Sequence, residues 1–397
     1  MQTNKIHWGS LSILVFLGLG ASSALLAAFG VGINSLVALL SEENGAGRLM
    51  ITAVSLGFEG ILLLLCCWFV LQKVMGREEA DITFKFSFEG WHVAAAIGMA
   101  ILSLAIGAAV VLTEIGWLTW LTLPFLTVTV IAPPIWLLFG IGAKDIELGP
   151  RWQAVGIFGL GMTLSTLVMI VLEAGLLTVG LIGGAVFLAV SQPDLVRELG
   201  SLMPLLQNET NEEVILKLLA PYLSNPLLIA ATIGYISIVV PLIEELFKPL
   251  AVWLFARKIV SPAQGFALGL LSGAAFALVE SLNASGGEIE AWAAVVAVRA
   301  GTSMLHVMTS GLVGWGIASA FRERRILRLA AAYFSAVLVH GMWNACAGGF
   351  VFSYLGGFIG KPEWGVLLPA AAGGMVILAI GMLALLFFSN KKMRDSR

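Results

Sequence analysis

Residues 226–256 read PLLIAATIGYISIVVPLIEELFKPLAVWLFA, an apolar run that carries two glutamates and one lysine in its second half. The run is longer than the roughly 20 residues that a membrane-spanning helix needs. Glu244 and Lys248 are four residues apart and Glu245 and Lys248 are three apart, so the lysine shares a helical face with both acids. Because a charge at mid-bilayer costs roughly 2.5–3.5 kcal/mol to insert, the pattern predicts a spanning helix that lines a cavity.

The chain as a whole is similarly apolar. Of its 397 residues, 59% are hydrophobic and 12% are charged, whereas soluble domains carry about 25% charged residues. A soluble chain could not cover so apolar a core, so the composition predicts a protein in the lipid bilayer. The net charge of −2 gives no sign of a nucleic-acid partner, and the 3 cysteines lack the spacing of a zinc or disulfide framework.

Hydrophobic runs of spanning length predict an all-α, polytopic fold with about ten transmembrane helices. The run 152–190 is long for one helix, and we expect it to cross once as a long or broken helix. The expected spans are 11–40, 49–72, 91–113, 117–141, 152–190, 226–256, 262–282, 291–320, 326–348 and 364–389.

Basic residues predict the orientation. Most of the 22 Lys and Arg fall in alternate connections between spans, at Lys5, Lys73–Lys85, Lys144–Arg151, Arg257–Lys258, Arg322–Arg328 and Lys391–Arg397. Loops rich in Lys and Arg stay in the cytoplasm. We therefore expect a multi-pass protein of the cell membrane with both termini cytoplasmic.

Three further spans also carry polar groups on one helical face. They are marked by Phe276 and Glu280 in span seven, Arg299 and His306 in span eight, and His340 and Asn344 in span nine. Five charged groups in hydrocarbon would cost on the order of 15 kcal/mol before pairing, which rivals the roughly 5–15 kcal/mol net stability of a whole domain. We therefore expect spans six to nine to turn these groups toward one shared, hydrated pocket.

Such a pocket suits hydrolysis. The sequence has no convincing Ser or Cys nucleophile motif, so water is the expected nucleophile, with Glu244 or Glu245 as its general base. His340 and Asn344 are four residues apart and can donate two hydrogen bonds to the oxyanion of a peptide carbonyl.

The other polar groups are expected to support that reaction. Glu280 and His306 would orient the water or protonate the leaving amine. Arg299 would neutralise an acid of span seven or hold the substrate backbone, and Lys248 would partner the two adjacent glutamates.

A metal-dependent variant is the alternative. His306, His340 and a glutamate would provide three zinc ligands and leave the fourth position open. Because the sequence lacks the local H-E-x-x-H pairing that indicates zinc, we expect no metal cofactor, with zinc as the second possibility.

Residues 241–345 resemble the PrsW family of intramembrane proteases, distant relatives of the CAAX prenyl endopeptidases and of their bacterial CPBP relatives. The resemblance rests on four motifs in order: EExxK at 244–248, FxxxE at 276–280, the helix with Arg299 and His306, and HxxxN at 340–344. It implies a glutamate-dependent intramembrane endopeptidase that acts on a membrane-anchored protein. Two positions depart from the family pattern, Gln264 where members often have an acid and Ser281 where they often have Asn. These departures concern substrate handling.

The expected organisation has four parts. They are an N-terminal transmembrane region of unassigned role at 1–190, an outside amphipathic helical segment at 191–225, a PrsW-like peptidase core at 226–348, and a final transmembrane helix with a basic cytoplasmic tail at 349–397.

Two other functions are compatible with buried polar groups. A proton-coupled transporter also uses membrane acids and histidines, although its halves usually match and here the acids crowd one half. A non-catalytic scaffold that retained the peptidase fold is the other alternative. The sequence predicts no oligomeric state.

Overall fold

Helices form nearly all of the described chain, which confirms the predicted all-α class. The structure is a computed structural model that describes residues 7–43, 45–86, 88–209 and 211–395. Two basic residues used to predict the orientation, Lys5 and Arg397, lie outside these ranges.

The helices and the two short strands follow one another along the chain without a long unstructured segment. In chain order they are α1 (Trp8–Leu40), α2 (Ala46–Val74), β1 (Thr83–Lys85), α3 (Gly90–Val111), α4 (Gly116–Ala143), β2 (Glu147–Pro150), α5 (Arg151–Leu160), α6 (Thr166–Ser191), α7 (Pro193–Asn208), α8 (Glu212–Leu223), α9 (Pro226–Gly234), α10 (Val240–Phe247), α11 (Leu250–Phe255), α12 (Pro262–Asn283), α13 (Trp292–Glu323), α14 (Ile326–Phe358) and α15 (Leu367–Asp395).

Ten helical segments in the described ranges are long and apolar enough to cross a membrane, and they coincide with the ten predicted spans. The ninth ends at Phe358 instead of residue 348. The predicted span ended at residue 348, whereas in the structure Gly349 packs against Ala371 of α15 and the helix continues.

Two of the crossings are interrupted helices. A π-helical turn at Gly161–Ser165 joins α5 to α6, and another at Tyr235–Val239 joins α9 to α10. Pro249 separates α10 from α11, because proline has no N–H to continue the hydrogen-bond ladder. The crossing predicted at 152–190 is therefore a broken helix.

The chain forms two compact units. The first unit comprises Met1–Leu167, Glu245–Ala336 and Gly381–Arg397. At its centre α12 is almost wholly buried, and it packs on α2, α4, α5 and α13. Small residues permit the closest of these contacts, because Gly269 and Gly273 of α12 lie against backbone atoms of α13.

A two-stranded antiparallel sheet, absent from the sequence-based prediction, closes one end of the first unit. Thr83 of β1 pairs with Pro150 of β2, which joins the connections after α2 and α4. The amide of Asn390 in α15 donates to the carbonyl oxygens of Gly142 and Lys144, at 2.9 Å each. The predicted basic loops 73–85 and 144–151 and the basic tail therefore meet at the same end of this unit.

The second unit comprises Val168–Glu244 and Val337–Ile380. It contains α7 and α8, two helices within the segment at 191–225 that was predicted to be amphipathic. The position of this segment outside the membrane stays a prediction. Asn211 caps α8 by accepting a hydrogen bond from the Glu213 N–H at 3.0 Å. On the surface of α8, the nearby Lys217 ammonium lowers the pKa of Glu213.

Candidate active site

An ion pair between Glu245 and Lys248 lies in the interior of the first unit. Both side chains are fully buried, and the Lys248 ammonium donates to Glu245 Oε1 at 2.6 Å. The hydroxyl of Thr309 in α13 donates to the same oxygen at 3.1 Å. A buried pair is retained only when good geometry and added hydrogen bonds offset its desolvation, and Thr309 supplies one such bond. The backbone of Lys248 is held separately, because Ser272 donates to its carbonyl at 2.6 Å.

His306 connects this ion pair to a second acid. Its Nδ1 lies 3.0 Å from the Lys248 ammonium, and its Nε2 lies 2.7 Å from Glu280 Oε2. An ammonium group has only donors, so Nδ1 accepts from Lys248, and in the neutral imidazole Nε2 carries the proton on the side that faces Glu280. The Phe276 ring stands edge-on to the imidazole at 5.0 Å and holds it in this orientation.

Arg299 ends the network. Its guanidinium lies 2.8 Å from the same Glu280 oxygen that faces His306. This ion pair corresponds to the first of the two roles predicted for Arg299. Polar contacts thus run from Glu245 through Lys248 and His306 to Glu280, with Arg299 balancing the last charge.

The second unit holds the remaining predicted groups. His340 Nε2 lies 3.9 Å from Glu244 Oε2, and both side chains are buried. The Asn344 amide donates to the carbonyl of Ile236 at 2.8 Å. That carbonyl belongs to the π-helical turn before α10, where the regular helical hydrogen bonds are interrupted. The role of Asn344 as a hydrogen-bond donor to an oxyanion stays a prediction.

The structure thus brings six of the nine predicted residues into one contact network in the first unit. They are Glu245, Lys248, Phe276, Glu280, Arg299 and His306. Glu244 and His340 form their own pair in the second unit. The expectation that all nine face one pocket stays a prediction.

Sequence reasoning missed two side chains that complete the network. Thr309 lies three residues after His306 on the same helical face, and that spacing was the available signal. Ser272 showed no signal, because its partner is the backbone carbonyl of Lys248, which lies between α10 and α11.

The donor set bears on the metal-dependent alternative. Glu244 and His340 present one oxygen and one nitrogen 3.9 Å apart, a spacing at which both can approach one zinc ion. A catalytic zinc needs three protein ligands. His306, the predicted third ligand, uses both ring nitrogens in contacts with Lys248 and Glu280, so it would have to exchange one of them for the metal.

Comparison with known proteins identifies the family. The family model described as PrsW family intramembrane metalloprotease matches residues 149–360, more than half of the chain. No curated protein and no solved structure matches the chain. The matched range includes all nine predicted site residues and favours the peptidase over the transporter and scaffold alternatives. The chain is therefore a member of the PrsW family, and it is an intramembrane protease that spans the membrane several times.

Proposed function

We propose that the chain hydrolyses a peptide bond of a membrane-anchored protein in the cell membrane by glutamate-activated water. The unequal surroundings of two adjacent acids carry this proposal. Glu245 is bound by Lys248 at 2.6 Å, whereas Glu244 lies 3.9 Å from His340. Carboxylates whose environments differ suit different chemical tasks.

Glu244 is assigned as the general base. At 3.9 Å, Glu244 and His340 are too far apart for a direct hydrogen bond and close enough to contact the same water molecule. A base must reach the proton that it removes directly or through one water. Glu245 is assigned instead to fixing Lys248, because Lys248 and Thr309 both donate to it.

The hydrogen-bonded chain through His306 is assigned to orienting the water or protonating the leaving amine. The Nε2–H of His306 faces Glu280, while its Nδ1 faces Lys248. Both ring nitrogens have partners, so the ring orientation is fixed before substrate binds. Arg299 balances the negative charge of Glu280 at 2.8 Å.

Separate substitutions of the two acids test these assignments. We expect Glu244→Gln to lower cleavage of a single-span reporter by about 10²–10⁴-fold, the usual contribution of a general base, in a variant that still folds. Glu245→Gln removes the carboxylate partner of a buried ammonium and should also destabilise the fold, by roughly 3–5 kcal/mol.

The matched control is Glu59→Gln in α2. Glu59 is also a buried glutamate, it accepts a hydrogen bond from Asn283 at 3.2 Å, and it lies outside the proposed machinery. Its cleavage rate should stay near that of the wild type. Full activity of Glu244→Gln would contradict the assignment of the base. Full activity of the double variant Glu244→Gln with Glu245→Gln would rule out the glutamate mechanism.

A metal-dependent mechanism is the second candidate, favoured by the description of the family and by the spacing of Glu244 and His340. A bound zinc ion would supply a more acidic water. Elemental analysis of the purified protein, in the same samples as the cleavage assay, separates the two mechanisms. Stoichiometric zinc that is lost in His340→Ala would select the metal-dependent mechanism.

A further inference from the structure

A polar cavity lies at the end of the first unit where the basic loops meet. Its volume is about 720 Å³, and its lining includes the start of α12 and residues from both strands. Lys73 and Lys258 supply positive charge to the lining, and the exposed acids Asp81 and Glu147 supply negative charge. None of these residues belongs to the proposed catalytic machinery.

The side-chain nitrogen of one buried glutamine in this cavity has no partner among the described residues. Gln153 is 3% exposed, and its Nε2 has no hydrogen-bond partner among the residues that the structure describes. The second buried amide, Gln264, accepts a hydrogen bond from the Val260 N–H at 2.7 Å through its oxygen. Leaving a buried donor unsatisfied costs about 1–3 kcal/mol, so Gln153 indicates an acceptor that occupies the cavity.

Lys258 also lacks an acidic partner. Within the described ranges it forms no ion pair, and its ammonium lies 5.1 Å above the Trp152 ring. Lys73, by contrast, pairs with Asp81 at 2.5 Å. His7 lines the same cavity as Lys258 and Lys73, and burial, followed by these two charges, lowers its pKa. The cavity therefore offers one uncommitted cation and one uncommitted donor to an anionic group.

A second cavity in the same unit is almost wholly apolar. It has a volume of about 380 Å³, within the range of ligand pockets. Side chains from α2, α4, α5, α12 and the β1 region line it, and seven of them are aromatic: Phe58, Phe69, Phe84, Phe86, Trp136, Phe139 and Phe158. Such a lining accepts a hydrocarbon chain and no polar group.

The two cavities follow each other along the same elements. On α12 the polar cavity is lined by Gln264 and the apolar one by Leu271 and Leu278. On α2 the polar lining is Lys73, and the apolar lining runs from Phe69 to Phe58, about 16 Å along the helix axis. One leaflet has roughly 15 Å of hydrocarbon, so the polar-to-apolar order matches a lipid molecule lying along these helices.

We propose that this pair of cavities binds one phospholipid from the leaflet at the basic end of the first unit. Its phosphate accepts hydrogen bonds from Lys258 and Gln153 in the polar cavity, and one acyl chain fills the apolar cavity. Leu271 and Glu280 lie on opposite faces of α12, since nine residues turn a helix by about two and a half turns. The bound lipid therefore supports α12 from the side that faces away from Glu280.

Lipid retention tests the phosphate contact. Delipidated protein in detergent is mixed with phosphatidylglycerol, phosphatidylethanolamine or diacylglycerol and analysed by native mass spectrometry. We expect one bound molecule of either phospholipid and none of diacylglycerol. Lys258→Glu should lower occupancy by about tenfold, the effect of losing one charge-assisted hydrogen bond.

The matched control is Arg257→Glu, an equal charge change at the neighbouring exposed residue, which does not line the cavity. Its lipid occupancy should equal that of the wild type. Equal losses in the two variants, or equal retention of diacylglycerol, would overturn the proposal and indicate unspecific lipid around the spans.

A second pair of variants tests the acyl chain. Ala274→Phe fills the apolar cavity, whereas Ala95→Phe adds the same ring to an exposed position of α3. Only Ala274→Phe should lose the lipid. Because the readout is binding, this result is independent of the proposed glutamate mechanism, and a lipid retained at full occupancy by folded Ala274→Phe would contradict the placement of the chain.

Discussion

Lys248 is fully buried and divides its hydrogen bonds between a carboxylate and an imidazole. The sequence placed Lys248 near both Glu244 and Glu245 and left their pairing open. The structure pairs it with Glu245, and Thr309 of α13 reinforces that choice by donating to the same oxygen. A neighbouring helix thus distinguishes two acids that are almost equivalent by spacing within their own helix.

The buried pair predicts a specific stability pattern. Lys248→Met leaves the Glu245 charge without its ammonium partner and should lower the free energy of unfolding by roughly 3–5 kcal/mol. Adding Glu245→Gln removes that charge and should restore most of the loss without restoring cleavage. Denaturant titration of the purified variants measures both steps.

The control for this pattern is the exposed pair of Lys217 and Glu213 on α8, which are 2.7 Å apart. Lys217→Met should change stability by less than about 1 kcal/mol, because solvent screens an exposed ion pair. If the double variant at 245 and 248 were no more stable than Lys248→Met alone, the charge argument would fail.

The contact between α12 and α13 brings the face of α12 that carries Glu280 against the face of α13 that carries His306. Gly273 of α12 lies directly against the carbonyl of His306, and Gly269 lies against that of Ser310. Small residues at these positions allow the two backbones to touch. The distance between Glu280 and His306 therefore depends on residues that carry no functional group.

Gly273→Ala should disturb both stability and activity. A methyl group at this position would overlap the His306 carbonyl and the Ser310 side chain, so the helices must separate. We expect a loss of about 1–3 kcal/mol, the usual cost of overpacking, and a reduced cleavage rate. Gly98→Ala on α3, where nothing lies within 4 Å, is the control and should keep both properties. Wild-type stability and activity in Gly273→Ala would show that the contact is not tight.

The ten spans were predictable because hydropathy and segment length are local properties of the chain. The sheet was not, since its strands of 3 and 4 residues carry no periodic signal and pair across two intervening spans. The contact between Lys248 and His306 was also hidden, because it joins side chains 58 residues apart that only tertiary packing brings together. For the site, the residue types and the helical faces that they share could be predicted from the sequence. The contacts between helices could not, because they depend on tertiary packing.

The gathering of basic loops at one end of the first unit gives a testable orientation. In a chain whose native cysteines are replaced by serine, Arg325→Cys should react with an impermeant maleimide only in inside-out vesicles. Gly287→Cys, in the exposed loop between α12 and α13, should react only in right-side-out vesicles. Reversed labelling would place the basic loops outside and contradict the orientation expected from their charge.

The sheet also has a consequence for biosynthesis. Thr83 leaves the ribosome long before its partner Pro150, and both α3 and α4 are made between them. At roughly 5–20 residues per second, β1 waits several seconds for β2. Two further spans are made before the strands can join, so the sheet forms only after α3 and α4 have been synthesised.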